Sequence, residues 1–194
     1  MSEPRCAGAL LAGGGSRRMG RPKAELELGG RSLGQRAAAA LLALTPRVVQ
    51  AGGPAIAGIA LPLLPDRRRN AGPGAGIEAA LARFDEPVAV LAVDLPFVPT
   101  ELLALALHRV ERGADICAPH WRGRWHPLCA VYAPTALPRL SARLDAGQHG
   151  LQELLQEIGT ALAEDALRAL GDPDRLLFNI NRPEDLQAAR SLVD

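Results

Sequence analysis

The sequence is poor in aromatics, cysteine, lysine and asparagine, and each shortage narrows what the chain can be. Three Phe, two Trp and one Tyr are spread over 194 residues. That is too few for the stacking platforms on which proteins read single-stranded RNA. Three cysteines cannot all pair, so no disulfide framework is called for. No apolar run approaches the ~18 residues that span a membrane, and Glu3 stands where a secretory leader would be basic. Net charge is +1 with acids and bases intermixed, which offers neither a nucleic-acid groove nor an acidic tail. The expectation is a soluble, cytoplasmic protein with no nucleic-acid or membrane partner. Lysine is the sharpest shortage: of 22 cationic residues 21 are Arg, and the one Lys is Lys23, which closes the string 11-LAGGGSRRMGRPK-23.

What is present is a small-aliphatic composition, 48% hydrophobic and rich in Ala, Leu and Val. It suits helices layered on a sheet, and the length suits one domain, residues 1–194. Strands are expected at 7–12, 47–51, 59–64, 87–93, 114–119, 127–133 and 176–180. Helices are expected at 32–44 with Ser32 as N-cap, 74–84, 99–110, 134–145, 150–169 and 183–192 with Pro183 at its first position. The 134–169 segment reads as a small helical cap. Strands alternating with helices predict an α/β fold: a single Rossmann-like, mostly parallel sheet flanked by helices. Ligands of such sheets bind beyond the C-terminal ends of the strands. Three stretches fall there: the glycine loop, Asp94, and Asn179 with Asn181.

Gly13-Gly14-Gly15 lets backbone approach an anion and turn N–H groups toward it. The string has neither the G-K-[ST] close of a Walker A loop nor the spacing of a dinucleotide fingerprint, and taken alone it is equally a tight turn. Asp94 follows 88-VAVLAV-93. A carboxylate there suits Mg²⁺, or it closes the turn before Pro96. Asn occurs only at 70, 179 and 181. Alternation puts Asn179 and Asn181 on one face, where they reach a metal or substrate, or cap the helix at Pro183. Arg67, Arg68 and Arg69 form a basic run that is either a solvated loop or a holder of an anion.

The whole string 11-LAGGGSRRMGRPK-23 is far more specific than its glycines. It resembles the signature of nucleotidyltransferases, which transfer a nucleoside monophosphate and release pyrophosphate. Later blocks resemble the molybdenum cofactor guanylyltransferase family within that superfamily: 65-PDRRRNAGPGAGIEAAL-81, 124-RWHPLCAVY-132, 145-DAGQHGLQEL-154 and 178-FNINRPEDL-186. The resemblance runs in order along nearly the whole chain. It implies a nucleotide half at residues 1–115 and a pterin-substrate half at residues 116–194.

It further implies GTP and molybdenum-molybdopterin as substrates, Mg²⁺ as cofactor, and proteins that insert or deliver the finished cofactor as partners. Leu11, Ala12, Gly13 and Gly14 would line the GTP site. Lys23 and Arg18 would hold the triphosphate, Asp66 would contact the nucleotide, and Gly76 would let the chain pass close to the guanosine. Asp94 would bind the metal beside the phosphates. Lys23, Asp94 and Arg18 are thus the expected catalytic set. A compact ammonium fits one crowded phosphorus centre as a point charge, where a guanidinium prefers a fork on two oxygens. That accounts for a single Lys in an Arg-rich chain. Gln50 stands where the family often has Asn, and offers the same amide one methylene further out. Asn179, Asn181 and His126 are the candidates for the second substrate.

Cys117 with His120 and His126 with Cys129 have the look of a zinc site, but only five residues separate the pairs and both flank apolar strands, so buried thiols and loop imidazoles are the better reading. Trp121 and Trp125 are either an aromatic wall for the pterin or a hairpin contact. The related cytidylyltransferase activity and a non-catalytic nucleotide- or cofactor-handling module are the alternatives. The first is separated by GTP or CTP preference and the second by pyrophosphate release.

Overall fold

The computed structural model describes residues 5–13, 22–65, 68 and 71–193. In chain order the strands are β1 (Ala7–Leu11), β2 (Glu27–Leu28), β3 (Arg31–Ser32), β4 (Val48–Ala51), β5 (Leu63–Leu64), β6 (Val88–Ala92), β7 (Ile116–Trp121), β8 (Arg124–Trp125), β9 (Cys129–Tyr132) and β10 (Gly159–Leu162). The helices are α1 (Leu33–Leu44), α2 (Pro73–Arg83), α3 (Thr100–Glu111), α4 (Leu137–Asp145), α5 (Leu151–Ile158), α6 (Glu164–Leu170), α7 (Pro173–Leu176) and α8 (Pro183–Arg190). One sheet has the order β10-β7-β9-β6-β1-β4-β5, with β8 folded onto β7. β1 lies parallel between β4 and β6, β5 continues the parallel set, and β9 runs antiparallel to both β6 and β7. The α/β fold with a mostly parallel sheet flanked by helices is what the sequence predicts.

The period of two along the central strands sorts side chains into two cores. On β6, Val88, Val90 and Ala92 face one core, which α2, α4 and α5 cover through Ile77, Leu81, Leu140 and Leu154. Ala89 and Leu91 face the other, which α1 and α3 cover through Leu41, Leu102, Leu103 and Leu107. β1 and β6 are buried at every position, which is why they read as continuous apolar runs rather than alternating ones. At ~25 cal/mol per Å² of apolar surface removed from water, these two faces dominate the stabilisation. α1 begins on the expected Ser32, whose hydroxyl accepts the Gln35 N–H while the Gln35 side chain accepts the Ser32 N–H.

Four local expectations change. The 150–169 helix is interrupted: α5 ends at Ile158, and Gly159–Leu162 form β10, parallel to β7. Thr160 and Ala161 are exposed on this edge strand, so its sequence lacks the apolar pattern of a buried one. The 134–169 region caps one face of the sheet through α4 and α5, and β10 within it also extends the sheet. Residues 176–180 are not a strand. Leu176 ends α7, and the segment after it makes one backbone bond to the central region, Ile180 N–H to the Asp94 carbonyl at 2.9 Å. The 59–64 strand shrinks to Leu63–Leu64. Finally, 27-ELGGRS-32 forms a hairpin, β2 with β3, that the sequence reading does not contain. Gly29 and Gly30 both have positive φ, 57° and 74°, the backbone that a two-residue hairpin turn requires.

Candidate active site

Leu11 and Ala92, the last residues of β1 and β6, are register partners. The Val93 N–H donates to the Leu11 carbonyl (3.2 Å) and the Ala12 N–H to the Ala51 carbonyl (3.0 Å). These bonds carry three neighbouring strand ends to one edge. Ala12, Gly13 and the Asp94 turn emerge there together. The Gly52–Gly53 backbone closes in from β4. Gly53 has φ 70°, and a Cβ on it would lie 2.7 Å from the Ala12 carbonyl oxygen. Gln50 is buried, and its Nε2 donates to the carbonyls of Gly52 (3.2 Å) and Pro54 (2.7 Å). Its amide N–H groups are thus spent on shaping the loop that faces Ala12 and Gly13.

Lys23 opens a short 3-10 turn, Lys23–Glu25, whose Ala24 is anchored in the core. Its Nζ lies 3.1 Å from Asp94 Oδ2 and 2.7 Å from Asn181 Oδ1. Both members of the ion pair are largely buried, with side-chain exposures of 19% and 17%. A third apolar cluster delivers Asn181. Leu26, Leu28 and Leu33 around the β2–β3 hairpin pack on Ile180 and Ala189, with Phe97, Phe178 and Leu186 alongside. The backbone bond from Ile180 to Asp94 sets the register of this segment. Asp185 Oδ2 then accepts both the Asn181 and Arg182 N–H groups at 2.8 Å and starts α8. The cap at this helix is therefore Asp185, which leaves the Asn181 amide free to meet Lys23.

Asp94 Oδ1 is buried with no hydrogen-bond partner among the described residues. A buried carboxylate oxygen left without a donor costs free energy unless a cation or donor meets it. Hard oxygen at a rigid strand end fits a divalent cation. Among the described residues no group of three or more His, Cys, Asp or Glu is gathered for a metal.

Gly14, Arg18 and Asp66 lie outside the described residues, as do Arg67 and Arg69. Gly76 is buried near the start of α2. Asn179 is exposed, separated from Asn181 by the buried Ile180. His126 sits in the turn ahead of β9, which meets β6 through the Ala92 N–H to Leu128 carbonyl bond (2.9 Å). Burial, followed by the charges of Arg124 and His120, pushes its imidazole down to about 4, so it is neutral near pH 7. Cys117 and Cys129 lie inside the sheet, and burial pushes the Cys117 thiol up to about 12. Trp121 and Trp125 belong to the β7–β8 hairpin. Trp121 Nε1 donates to Asp174 (2.8 Å), and the Trp125 backbone exchanges bonds with Gln152 (3.1 and 2.8 Å). Arg68, out of the basic run, is held by Glu78 and Asp145; nothing in the sequence singled out that pairing.

This edge arrangement has close relatives. The pattern of the MobA-like NTP transferase domain matches residues 8–166. The chain belongs to the MobA-like NTP transferase family. A probable molybdenum cofactor guanylyltransferase of Pelotomaculum thermopropionicum is 35% identical over 192 residues, covering 96% of this chain and 93% of that one. Its counterpart in Mycobacterium tuberculosis is 34% identical over 197 residues, covering 94% and 92%. The crystal structure of molybdopterin-guanine dinucleotide biosynthesis protein A from Archaeoglobus fulgidus superposes with TM-score 0.81 at 28% identity, covering 96% of this chain and 97% of that one. The MobA-like family makes this chain a nucleotidyltransferase. None of its helices, among the described residues, is long and apolar enough to cross a membrane.

Proposed function

We propose that this chain transfers GMP from GTP to molybdenum-molybdopterin, releasing pyrophosphate and leaving the guanine dinucleotide form of the cofactor. The observation that carries the reading is the Lys23–Asp94 pair with its unpartnered Asp94 Oδ1, set at the edge where β1 and β6 end. The relatives named for guanylyltransfer or for molybdopterin-guanine dinucleotide synthesis match end to end, so they support the same substrates. The nucleotide half, residues 1–115, supplies β1, β4 and β6 with the loops beyond them. The half from 116 onward supplies the surface for the pterin, with His126 and Asn179 as candidates on it.

The reaction is an in-line displacement. The terminal phosphate of molybdopterin attacks the α-phosphorus of GTP, a P–O bond forms, and the bond to pyrophosphate breaks. The attacking phosphate is already anionic near neutral pH, so no general base is needed. Lys23 neutralises charge on the phosphates as a point donor, and amides of the glycine loop, with Arg18, hold the rest. Leu11, Ala12 and Gly13 offer backbone to the nucleotide. Gln50 holds the opposing loop, Asp66 is assigned to contact the nucleotide, and Gly76 would let the chain pass close to the guanosine. Asp94 would hold Mg²⁺, which supplies Lewis-acid stabilisation of phosphate charge when bound. Positioning and charge neutralisation then account for the acceleration.

The test is pyrophosphate release with Mg²⁺ and molybdenum-loaded molybdopterin, with GTP and CTP in parallel. GTP-dependent release is the expected result. CTP preference transfers the chain to cytidylyl transfer, and nucleotide binding without release makes it a handling module.

A further inference from the structure

Arg36, in the first turn of α1, holds the hairpin that follows Lys23. Its Nε donates to the Leu28 carbonyl at 2.8 Å, and its Nη2 stands 3.5 Å from the Gly29 carbonyl. Gly29 is pressed between two groups: a Cβ on it would lie 2.6 Å from Arg36 Nη2 and 2.5 Å from Cγ1 of Val193, near the end of the chain. Leu28 is buried and shares the third apolar cluster with Leu26, Leu33 and Ile180. The Leu26 N–H donates to the Lys23 carbonyl at 3.1 Å, and Ile180 is the residue before Asn181. Lys23 Nζ and Asn181 Oδ1, which meet at 2.7 Å, therefore both rest on one hairpin. Arg36 itself has no carboxylate partner among the described residues. Burial, and then the charge of Arg31, push its pKa below the usual guanidinium range.

We propose that Arg36 is a positioning residue for the Lys23–Asn181 contact: its guanidinium fixes the tip of the β2–β3 hairpin, on which the segment carrying Asn181 docks. The inference rests on the role proposed above for Lys23. Charge is not what this place favours, because lost solvent and a like charge both disfavour it. What the guanidinium supplies is a planar set of donors on a long stem, which fixes direction as well as distance. A lysine there would be a swivelling point donor. The element it holds needs such a tie. β2 and β3 are two residues each, and a two-stranded hairpin is marginal by itself. α1 is a firm base for the tie, since Leu33, Ala37, Ala38 and Leu41 are all buried. Gly34 also brings the start of α1 to the Lys23 turn, where a Cβ on it would lie 3.1 Å from the Ala24 carbonyl oxygen. With the tip untied, Lys23 keeps Asp94 and loses the fixed approach of Asn181.

The experiment compares Arg36→Met, which keeps the apolar stem and removes the donors, with Thr45→Val at the other end of α1. Thr45 Oγ1 donates to the Cys6 carbonyl at 2.7 Å, so this control breaks a bond of the same kind at the opposite edge of the sheet. Lys23 is the chain's one lysine. Lysine labelled with ¹³C at Cε therefore gives one side-chain resonance, which reads this site with no ligand present. The kcat and KM for guanylyl transfer are measured alongside, well below each variant's melting temperature. Arg36→Met is expected to move the Lys23 resonance toward its position in Asn181→Ala and to lower kcat about tenfold, with KM for GTP within about threefold. In the Asn181→Ala background the same change should cost less than about twofold. Thr45→Val should lower the melting temperature and leave the resonance and kcat as in the unaltered chain. An unmoved resonance or an unchanged kcat in Arg36→Met overturns the proposal. So does full additivity with Asn181→Ala, or an equal shift in Thr45→Val. If Arg36→Met fails to fold, Arg36→Lys is read against the same criteria. If the unaltered chain releases no pyrophosphate from GTP, the functional reading fails on its own, and the Lys23 resonance alone then decides whether Arg36 sets the contact.

Discussion

Lys23 and Arg68 each tie together two side chains from distant parts of the chain, yet the two clusters are built to opposite ends. Arg68 fills both oxygens of Glu78 and reaches a third on Asp145. Lys23 touches one oxygen of Asp94 and one of Asn181, and the other Asp94 oxygen stays buried and unpartnered among the described residues. The first is a closed device in which the charges satisfy each other. The second is open, with acceptor capacity left on Asp94 for the cation proposed above. The choice of cation follows. A fork suits a carboxylate that must not move. A point charge suits a site that must exchange one set of oxygens for another.

The comparison breaks most visibly at the open end. Asp94→Asn keeps the shape and removes the charge. Steady-state assays should show kcat/KM for guanylyl transfer falling about 10³-fold, with the melting temperature lowered because the largely buried Lys23 loses its charge partner. A variant with near-normal turnover would mean that the open oxygen is not used. Lys23→Arg comes next, with a fall of about 10²-fold. A guanidinium in that place reaches Asp94 but crowds the phosphate side, so GTP binding should survive better than turnover. Equal activity would remove the significance of the single lysine. Asn181→Ala leaves Lys23 with Asp94 and loosens its aim, at a cost of about tenfold in kcat. If instead only the KM for molybdopterin rises, Asn181 belongs to the second substrate.

The smallest effect separates both clusters from a group outside them. The His126 imidazole has its pKa lowered from 6.5 to about 4, by burial first and then by Arg124 and His120. The unfolded chain therefore binds a proton that the folded chain refuses between those values. Its contribution to stability is whole above about pH 6.5 and is lost as pH falls toward about 4. Chemical denaturation across this window should show wild-type stability falling with acid and a flatter curve for His126→Gln. An unchanged slope would place the acid sensitivity elsewhere.

Much of the site was legible because its parts are local. A glycine string after a buried strand, a lone Lys among 21 Arg, and an Asp at the end of 88-VAVLAV-93 are each complete within a few residues. The elements that misled are those whose state is set by a neighbour. Gly159–Leu162 is a strand only because β7 offers an open edge. Residues 176–180 carry the apolar content of a strand, but Leu176 and Leu177 pack into the core under α1 and α3 and Ile180 into the third cluster, without a ladder. The loop contacts of Gln50, its amide N–H groups on the carbonyls of Gly52 and Pro54, are likewise visible only in the fold.

The sequence by itself determined the layered fold, the strand ends that carry Gly13 and Asp94, and the one position where a compact cation stands. Period, propensity and charge are properties of neighbouring residues, and they can be read along a line. Only the tertiary structure decided that Asn181, 158 residues away, completes the Lys23 site, and that Arg68 belongs to Glu78 and Asp145 and not to an open anion pocket. Such pairings depend on how three apolar clusters pack, and packing brings together residues that no local pattern relates.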